Sequence, residues 1–286
     1  MRAVAVQCEP GASKIENIAM LEAMIEPALD GDHPTLVSLP EMWTCLGADR
    51  ATKLAESETL PPPGSGSEIL AQAGPAYRFL SATARRLGVT MHGGSIGERV
   101  GETLFNTTLV FGPDGVECAR YRKIHLFDAV MRSGQGYRES SLFGAGDQVV
   151  TCSMSLPGRQ TTLGLSICYD LRFPELFSAL RRSGAEVILV PAAFTVETGR
   201  DHWTVLLRAR AIETQCWIVA AATIGTHHDG AGRPRQTYGH SLICDPWGEV
   251  RACLPEGTGC VSAHIDFAFL DRLRGAMPVL AHRRLA

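Results

Sequence analysis

Short apolar runs alternate with helical stripes along this chain, and the alternation is played through twice. In the first half, residues 3–8 read as a strand, and Ile15, Ile18, Leu21, Ile25 and Leu29 recur at the spacing of one helix face, with Ser13 placed to cap it. Residues 36–39 make the next strand. Tyr77, Leu80, Ala84 and Leu87 form a second helical stripe that Gly88 stops before a strand at 89–93. A hairpin closes the half, residues 106–111 and 116–120 around Gly112-Pro113-Asp114-Gly115. The second half repeats this order: strand 161–168, helix Pro174–Arg182, strand 187–191, helix 203–214 and strand 217–223. Its hairpin joins Ser241–Cys244 to 249–253 around Asp245-Pro246-Trp247-Gly248. Two halves with one element order predict an α/β, pseudo-twofold sandwich of two sheets faced by helices. The Pro- and Gly-rich stretch 60–67 reads as a loop rather than a linker, so residues 1–286 are expected to form a single domain.

Composition narrows the classes. With 45% hydrophobic and 20% charged residues the chain has the balance of an ordinary globular protein. A net charge of −3 gives no electrostatic case for nucleic acid or an anionic membrane. No run approaches the ~20 apolar residues that span a bilayer, and the first residues read as a strand rather than a signal peptide. Nine cysteines, an odd number without a C-x-x-C pair, argue against a disulfide framework and for a reducing, cytoplasmic setting.

Three segments carry chemistry. Cys168 ends an apolar run and opens the turn Tyr169-Asp170-Leu171-Arg172-Phe173-Pro174-Glu175. A thiol on a strand-to-helix corner faces a pocket, and the nearby end of the helix that Pro174 begins favours thiolate. A buried structural cysteine is the plain alternative. Glu41 follows the apolar run 36–39 and Pro40, at the mouth of a sheet where burial is expected to raise its pKa toward a competent base. A carboxylate leaving a strand for solvent reads equally well. Lys123, in Tyr121-Arg122-Lys123-Ile124-His125-Leu126-Phe127, is by spacing alone an ordinary surface lysine.

In their order, Pro-Glu after a strand, Arg-Lys-Ile-His-Leu-Phe, and Cys-Tyr-Asp-Leu-Arg-Phe-Pro-Glu resemble the signature of the nitrilase superfamily of carbon–nitrogen hydrolases. The resemblance spans residues 3 to about 284, and the stretch 192–213 is similar to the branch of ω-amidases and deaminated glutathione amidases. It implies a four-layer αββα sandwich and a thioester route. Cys168 matches the nucleophile, Glu41 the general base, Lys123 the cation facing the tetrahedral intermediate, and Glu139 a second glutamate that orients the lysine and substrate. The N–H of Tyr169 completes the oxyanion hole in this mapping, and Leu171, Arg172, Phe194 and Thr198 match an acyl pocket. The resemblance also implies a homodimer through the helices beginning near Pro174 and His202, with the C-terminal tail, about 275–286, at the interface.

The residue types suit that chemistry on their own terms. A carboxamide is a weak electrophile with a poor leaving group, and a thioester splits its hydrolysis into two easier steps. The resemblance to the ω-amidases implies a short dicarboxylic acid monoamide as the small-molecule substrate, its free carboxylate held by Arg172. A salt bridge from Arg172 to Asp170 or Glu175 is the structural alternative. Cys-Tyr-Asp, where true nitrilases carry Cys-Trp-Glu, speaks against nitriles, while an N-carbamoyl-amide hydrolase and a non-catalytic scaffold stay open. His227-His228-Asp229 lacks further ligands at metal-binding spacing, and no Gly-rich phosphate loop is present, so neither metal nor cofactor is expected. His125 is either a pocket residue or a hydrogen-bonded structural histidine, and Ser166 lacks the context of a nucleophile.

Overall fold

A computed structural model describes residues 1–29, 36–63, 65, 70–228 and 232–284. The first half supplies strands β1 (Arg2–Gln7), β2 (Leu36–Ser38), β3 (Thr90–His92), β4 (Ile96–Val100), β5 (Thr103–Phe111) and β6 (Glu117–Arg122). Three short strands follow, β7 (Asp128–Val130), β8 (Gly136–Arg138) and β9 (Phe143–Gly144). Then come β10 (Thr151–Leu156), β11 (Arg159–Leu165), β12 (Val187–Leu189), β13 (Trp217–Ala220), β14 (Ile224–His228) and β15 (Pro234–Tyr238). The last strands are β16 (Ser241–Cys244), β17 (Val250–Leu254) and β18 (Gly259–His264). The helices are α1 (Lys14–Ile25), α2 (Arg50–Glu56), α3 (Pro75–Leu87), α4 (Pro174–Arg182), α5 (Thr204–Thr214), α6 (Phe267–Ala276) and α7 (Val279–His282).

The strands form an eight-stranded sheet, β18-β1-β2-β3-β5-β4 with β6 and β9 on β5, a six-stranded sheet, β10-β11-β12-β13-β16-β17, and two separate pairs, β7-β8 and β14-β15. In each, three parallel strands meet an antiparallel hairpin: β1-β2-β3 then β5-β6, and β11-β12-β13 then β16-β17. This is the pseudo-twofold, four-layer sandwich that the repeated element order implies.

Side-chain alternation assigns the layers. Along β1, Ala3 and Ala5 join the cluster between the sheets, whereas Val4 and Val6 join Leu21, Ile25, Tyr77 and Leu80 beneath α1 and α3. Leu36 and Val37 of β2 divide in the same way. All three residues of β12 are fully buried, as a parallel strand covered on both faces requires.

Several expectations shift. Ser13 caps α1 by accepting from the Glu16 N–H, but the helix stops at Ile25 and Leu29 belongs to the separate turn Pro27–Leu29. The buried stripe of α1 is Lys14, Asn17, Leu21 and Ile25, while Ile15 is 64% exposed. The phase turns because Lys14 pairs with buried Glu58 at 2.9 Å and the Asn17 amide bonds the carbonyls of Gly11 and Thr44. Glu58 also takes the N–H groups of Ala76 and Tyr77, capping α3, whose N-cap Gly74 has no side chain to do so. The strand foreseen at 161–168 ends at Leu165, and the helix foreseen at 203 begins at Thr204 after a wide turn, Gly199–Trp203. The C-terminal β18 returns to pair with β1, a closure that the residue pattern did not announce. Of the loop foreseen at 60–67, residues 64, 66 and 67 lie outside the described residues, as do Leu285 and Ala286 of the tail.

Candidate active site

The site lies past the C-terminal ends of the parallel strands, the usual crevice for ligands in such sheets. Chain exits there are sharply bent. After β2 the Leu39 N–H donates to the His92 carbonyl at 3.0 Å, and Met42 adopts φ 50°, which turns Glu41 inward. The bend leaves so little room that a Cβ on Gly94 (φ 58°) would sit 2.0 Å from the Pro40 carbonyl oxygen. After β11, Cys168 itself adopts φ 50° and opens a 3-10 turn, Cys168–Arg172, with its N–H on the Pro191 carbonyl at 2.9 Å. Left-handed backbone at a non-glycine is costly, and such positions cluster at functional sites.

One buried carboxylate ties this corner to the lysine segment. Asp170 is fully buried and accepts from the Ile167 N–H at 2.8 Å, the Tyr121 hydroxyl at 2.7 Å, the His125 N–H at 3.0 Å and His125 Nδ1–H at 2.7 Å. The His125 ring also stacks on Phe173, with centroids 3.7 Å apart. His125 is therefore the structural histidine, and it does not line the cavity.

Lys123, Glu41, Glu139 and Cys168 converge on that cavity. Lys123 Nζ lies 2.9 Å from Glu41 Oε1 and 2.8 Å from Glu139 Oε2. Asn106, from the middle of β5, donates through Nδ2 to Glu41 at 2.9 Å and to Glu139 at 3.1 Å. The Ala193 N–H holds the other Glu41 oxygen at 2.9 Å, and the Phe127 N–H holds Glu139 at 2.6 Å. The Cys168 thiol lies against the Glu41 carboxylate and the Ala193 N–H. Lys123 is 2% exposed, far from the surface lysine that its spacing suggested.

The electrostatics reverse two expectations. Burial alone would raise the Glu41 carboxyl, but Lys123, the Cys168 thiol and Arg235 outweigh it and hold its pKa below the ordinary value. Burial, followed by the Glu41 charge, pushes the Cys168 thiol well above its ordinary pKa. The helix end expected to favour thiolate belongs to α4, which the 3-10 turn separates from Cys168. Burial opposes the Lys123 charge too, yet Glu139 and Glu41 more than offset it and raise its pKa. The resting cluster is thus a thiol beside a carboxylate that an ammonium holds ionised.

The cavity encloses about 320 Å³. Tyr169, Arg172, Phe194 and Thr198 line it as expected; Leu171 does not, because its side chain is fully buried in the core. Tyr169 contributes one of the first N–H groups of the 3-10 turn, which no carbonyl within that turn can take. Arg172 bonds neither Asp170 nor Glu175. It lies over the Tyr169 and Phe194 rings at 5.7 and 5.5 Å and contacts His202 Nδ1 at 3.2 Å, with no carboxylate in ion-pair range among the described residues. Asn106 and Arg235 were missed, as were Arg50, Lys53 and Arg138 at the cavity wall. For Asn106 the signal was present, an amide interrupting an apolar strand; for Arg235, nothing local gives it away.

The other candidates are structural. Buried Ser166 donates to the Leu189 carbonyl at 2.9 Å, and buried His227 bonds Pro10 O at 3.1 Å and Thr237 Oγ1 at 3.0 Å. Asp229 lies outside the described residues. Among those described, no group of three or more His, Cys, Asp or Glu could hold a metal ion.

A strained cysteine corner, a buried lysine between two glutamates and an αββα sandwich define a class of cysteine hydrolases. Residues 2–274 match the carbon–nitrogen hydrolase family, and the chain belongs to that family. A deaminated glutathione amidase of Synechocystis sp. (strain PCC 6803 / GT-S) is 40% identical over 284 residues, 98% of this chain and 97% of that protein. The human deaminated glutathione amidase is 40% identical over 254 residues, 87% of this chain and 72% of its own. Saccharomyces cerevisiae Nit3, a member of branch 10 of the nitrilase superfamily, superposes with a TM-score of 0.84 at 27% identity, covering 100% of this chain and 97% of that one. The C. elegans NitFhit protein also gives 0.84 at 34% identity, over 99% of this chain and 65% of the longer fusion.

Proposed function

We propose that this carbon–nitrogen hydrolase is a cysteine-dependent amidase for small carboxylate-bearing amides of the deaminated glutathione or ω-amide kind. The observation that carries the reading is the sharing of Lys123 by Glu41 and Glu139 at 2.9 and 2.8 Å in the cavity that holds Cys168. Cys168 Sγ attacks the amide carbon while its proton passes to Glu41. The negative oxygen meets Lys123 and the Tyr169 N–H, where losing one such donor typically costs about 2.7–4 kcal/mol. The C–N bond then breaks, the nitrogen takes the proton from Glu41, and a thioester remains. Glu41 next takes a proton from water, whose oxygen attacks the thioester; the acid leaves and the thiol is restored. Glu139 and Asn106 act as positioning residues that hold Lys123 and Glu41 in register.

Arg172, with a guanidinium unclaimed by any described carboxylate, is assigned to the free carboxylate of the substrate, with Phe194 and Thr198 flanking the acyl chain. The names of the relatives favour an amidase over an N-carbamoyl-amide hydrolase. Residues 1–286 are read as one such domain, working in the cytoplasm as a homodimer. Nine free cysteines support the reducing setting, and no described helix is long and apolar enough to cross a membrane.

Intact-mass spectrometry after mixing with deaminated glutathione, an ω-amide or an N-carbamoyl compound tests the assignment. An acyl adduct on wild-type protein, absent from Cys168→Ala together with all amine release, is expected for the first two substrates. Wild-type turnover by Cys168→Ala, or turnover confined to the carbamoyl compound, would sink it.

A further inference from the structure

Away from the cavity, two thiols meet across the sandwich. Cys118 lies on β6 of the first sheet and Cys152 on β10, the edge strand of the second, where these strands approach each other. The two side chains are neighbours that interact directly, with Cys118 exposed and Cys152 buried. Each sulfur also reaches a nearby carbonyl, Cys118 that of Val116 at 3.5 Å and Cys152 that of Ser153 at 3.6 Å. Gly112 leaves the space above Cys118 open, since a Cβ there would come within 3.2 Å of the sulfur.

We propose that Cys118 and Cys152 form a thiol–disulfide exchange site, with Cys118 the attacking and Cys152 the resolving thiol, that accepts low-molecular-weight disulfides. The Cys118 thiolate attacks one sulfur of the reagent, forming a mixed disulfide and expelling one thiolate. Cys152 loses its proton and attacks the Cys118 sulfur, and the second reagent thiolate leaves. The protein dithiol is oxidised to a disulfide and the reagent is reduced to two thiols, so the exchange balances without another oxidant.

The roles follow from the surroundings. Cys118 is the accessible partner, and the thiol of Cys152 stabilises its charge; that interaction lowers the Cys118 pKa to about 7 despite opposing burial and the nearby carboxylates of Asp114 and Glu117. Cys152 moves the other way, raised first by the same interaction and then by burial, as suits a thiol that reacts only in the second step. Cys253 is exposed as well, but burial raises its pKa, which makes it an internal comparison. The bond would staple the two sheets five residues upstream of Lys123 and close the segment that carries Lys123 and Glu139.

Incubation of the full chain with glutathione disulfide at pH 7, followed by peptide mapping, tests this. Wild type should yield a Cys118–Cys152 linked peptide, with Cys118 reacting on the order of tenfold faster than Cys253. Cys152→Ser should trap glutathione on Cys118, and Cys118→Ser should leave Cys152 unmodified with basal activity unchanged. The stapled protein should melt about 5 °C or more above the reduced form. A stable glutathione adduct on wild-type Cys118 with Cys152 still free would overturn the proposal. So would Cys118 reacting no faster than Cys253.

Discussion

Protonation at the candidate site is set by neighbours rather than by burial alone, and this fixes a pH profile. Glu41 is held below the ordinary carboxylate range by Lys123, while Cys168 and Lys123 are raised above theirs. A base with a depressed pKa loses competence only as pH falls through that low value. A thiol and an ammonium with raised pKa values keep their protons until pH rises past them. The kcat/KM of an amide substrate should therefore be flat from about pH 5 to about pH 9, the span between ordinary carboxylate and thiol titrations. Any apparent limb belongs to the coupled cluster rather than to one residue. An acid limb centred near pH 6 would mean that Glu41 rests protonated, and a limb near pH 8.5 would mean that free thiolate is the reactive form. Local sequence names Glu41 and Cys168 as candidates because each follows an apolar strand. It does not show their charge state, because Lys123 and Arg235 reach the site from far along the chain.

The same limit holds for whole elements. Helix α4 was legible to the residue, and so was the β16 strand, since Pro174 and the Asp245–Gly248 turn mark their bounds locally. The extra helical turns around Cys168 and Gly199–Trp203 were not, because tertiary partners shape them. Asp170 is the clearest case: its four donors come from Tyr121, His125 and Ile167, and together they lock the cysteine corner against the lysine segment. Asp170→Asn would turn an NH2 toward one oxygen's pair of donors. Each pair includes a backbone N–H, of Ile167 or of His125, that cannot reverse its role. Losing charge-assisted bonds and stranding a buried donor should cost about 3 kcal/mol. Urea unfolding would show this as a lowered midpoint at unchanged slope, with a fall in kcat as the corner loosens. An unchanged midpoint would mean that the corner is held by packing alone.

For the whole molecule, the second half presents an apolar face that a monomer has no evident reason to keep. Val205 and Ile212 on α5 are 66% and 50% exposed, and Trp247 and Met277 are 62% and 41% exposed. They are neighbours: Ile212 packs over Gly248, and the Gln215 side chain at the end of α5 bonds the Met277 carbonyl at 2.8 Å. Exposed apolar residues grouped in this way would fit a second copy of the chain, whose two-fold axis would bring each residue into the interface twice. Helix α5 also follows the substrate wall along the chain, since Phe194, Thr198 and His202 lie within ten residues before it. Ile212→Glu should therefore do two things. Placing two carboxylates in an apolar contact should weaken self-association by about a hundredfold, read as a shift toward the monomer mass in light scattering, without loss of fold at so exposed a position. Released from its partner, α5 should also hold the wall less firmly, so that KM rises more than kcat falls. A variant that stays dimeric at micromolar concentration would place the interface elsewhere, and a monomer with unchanged KM would show that the wall stands without it.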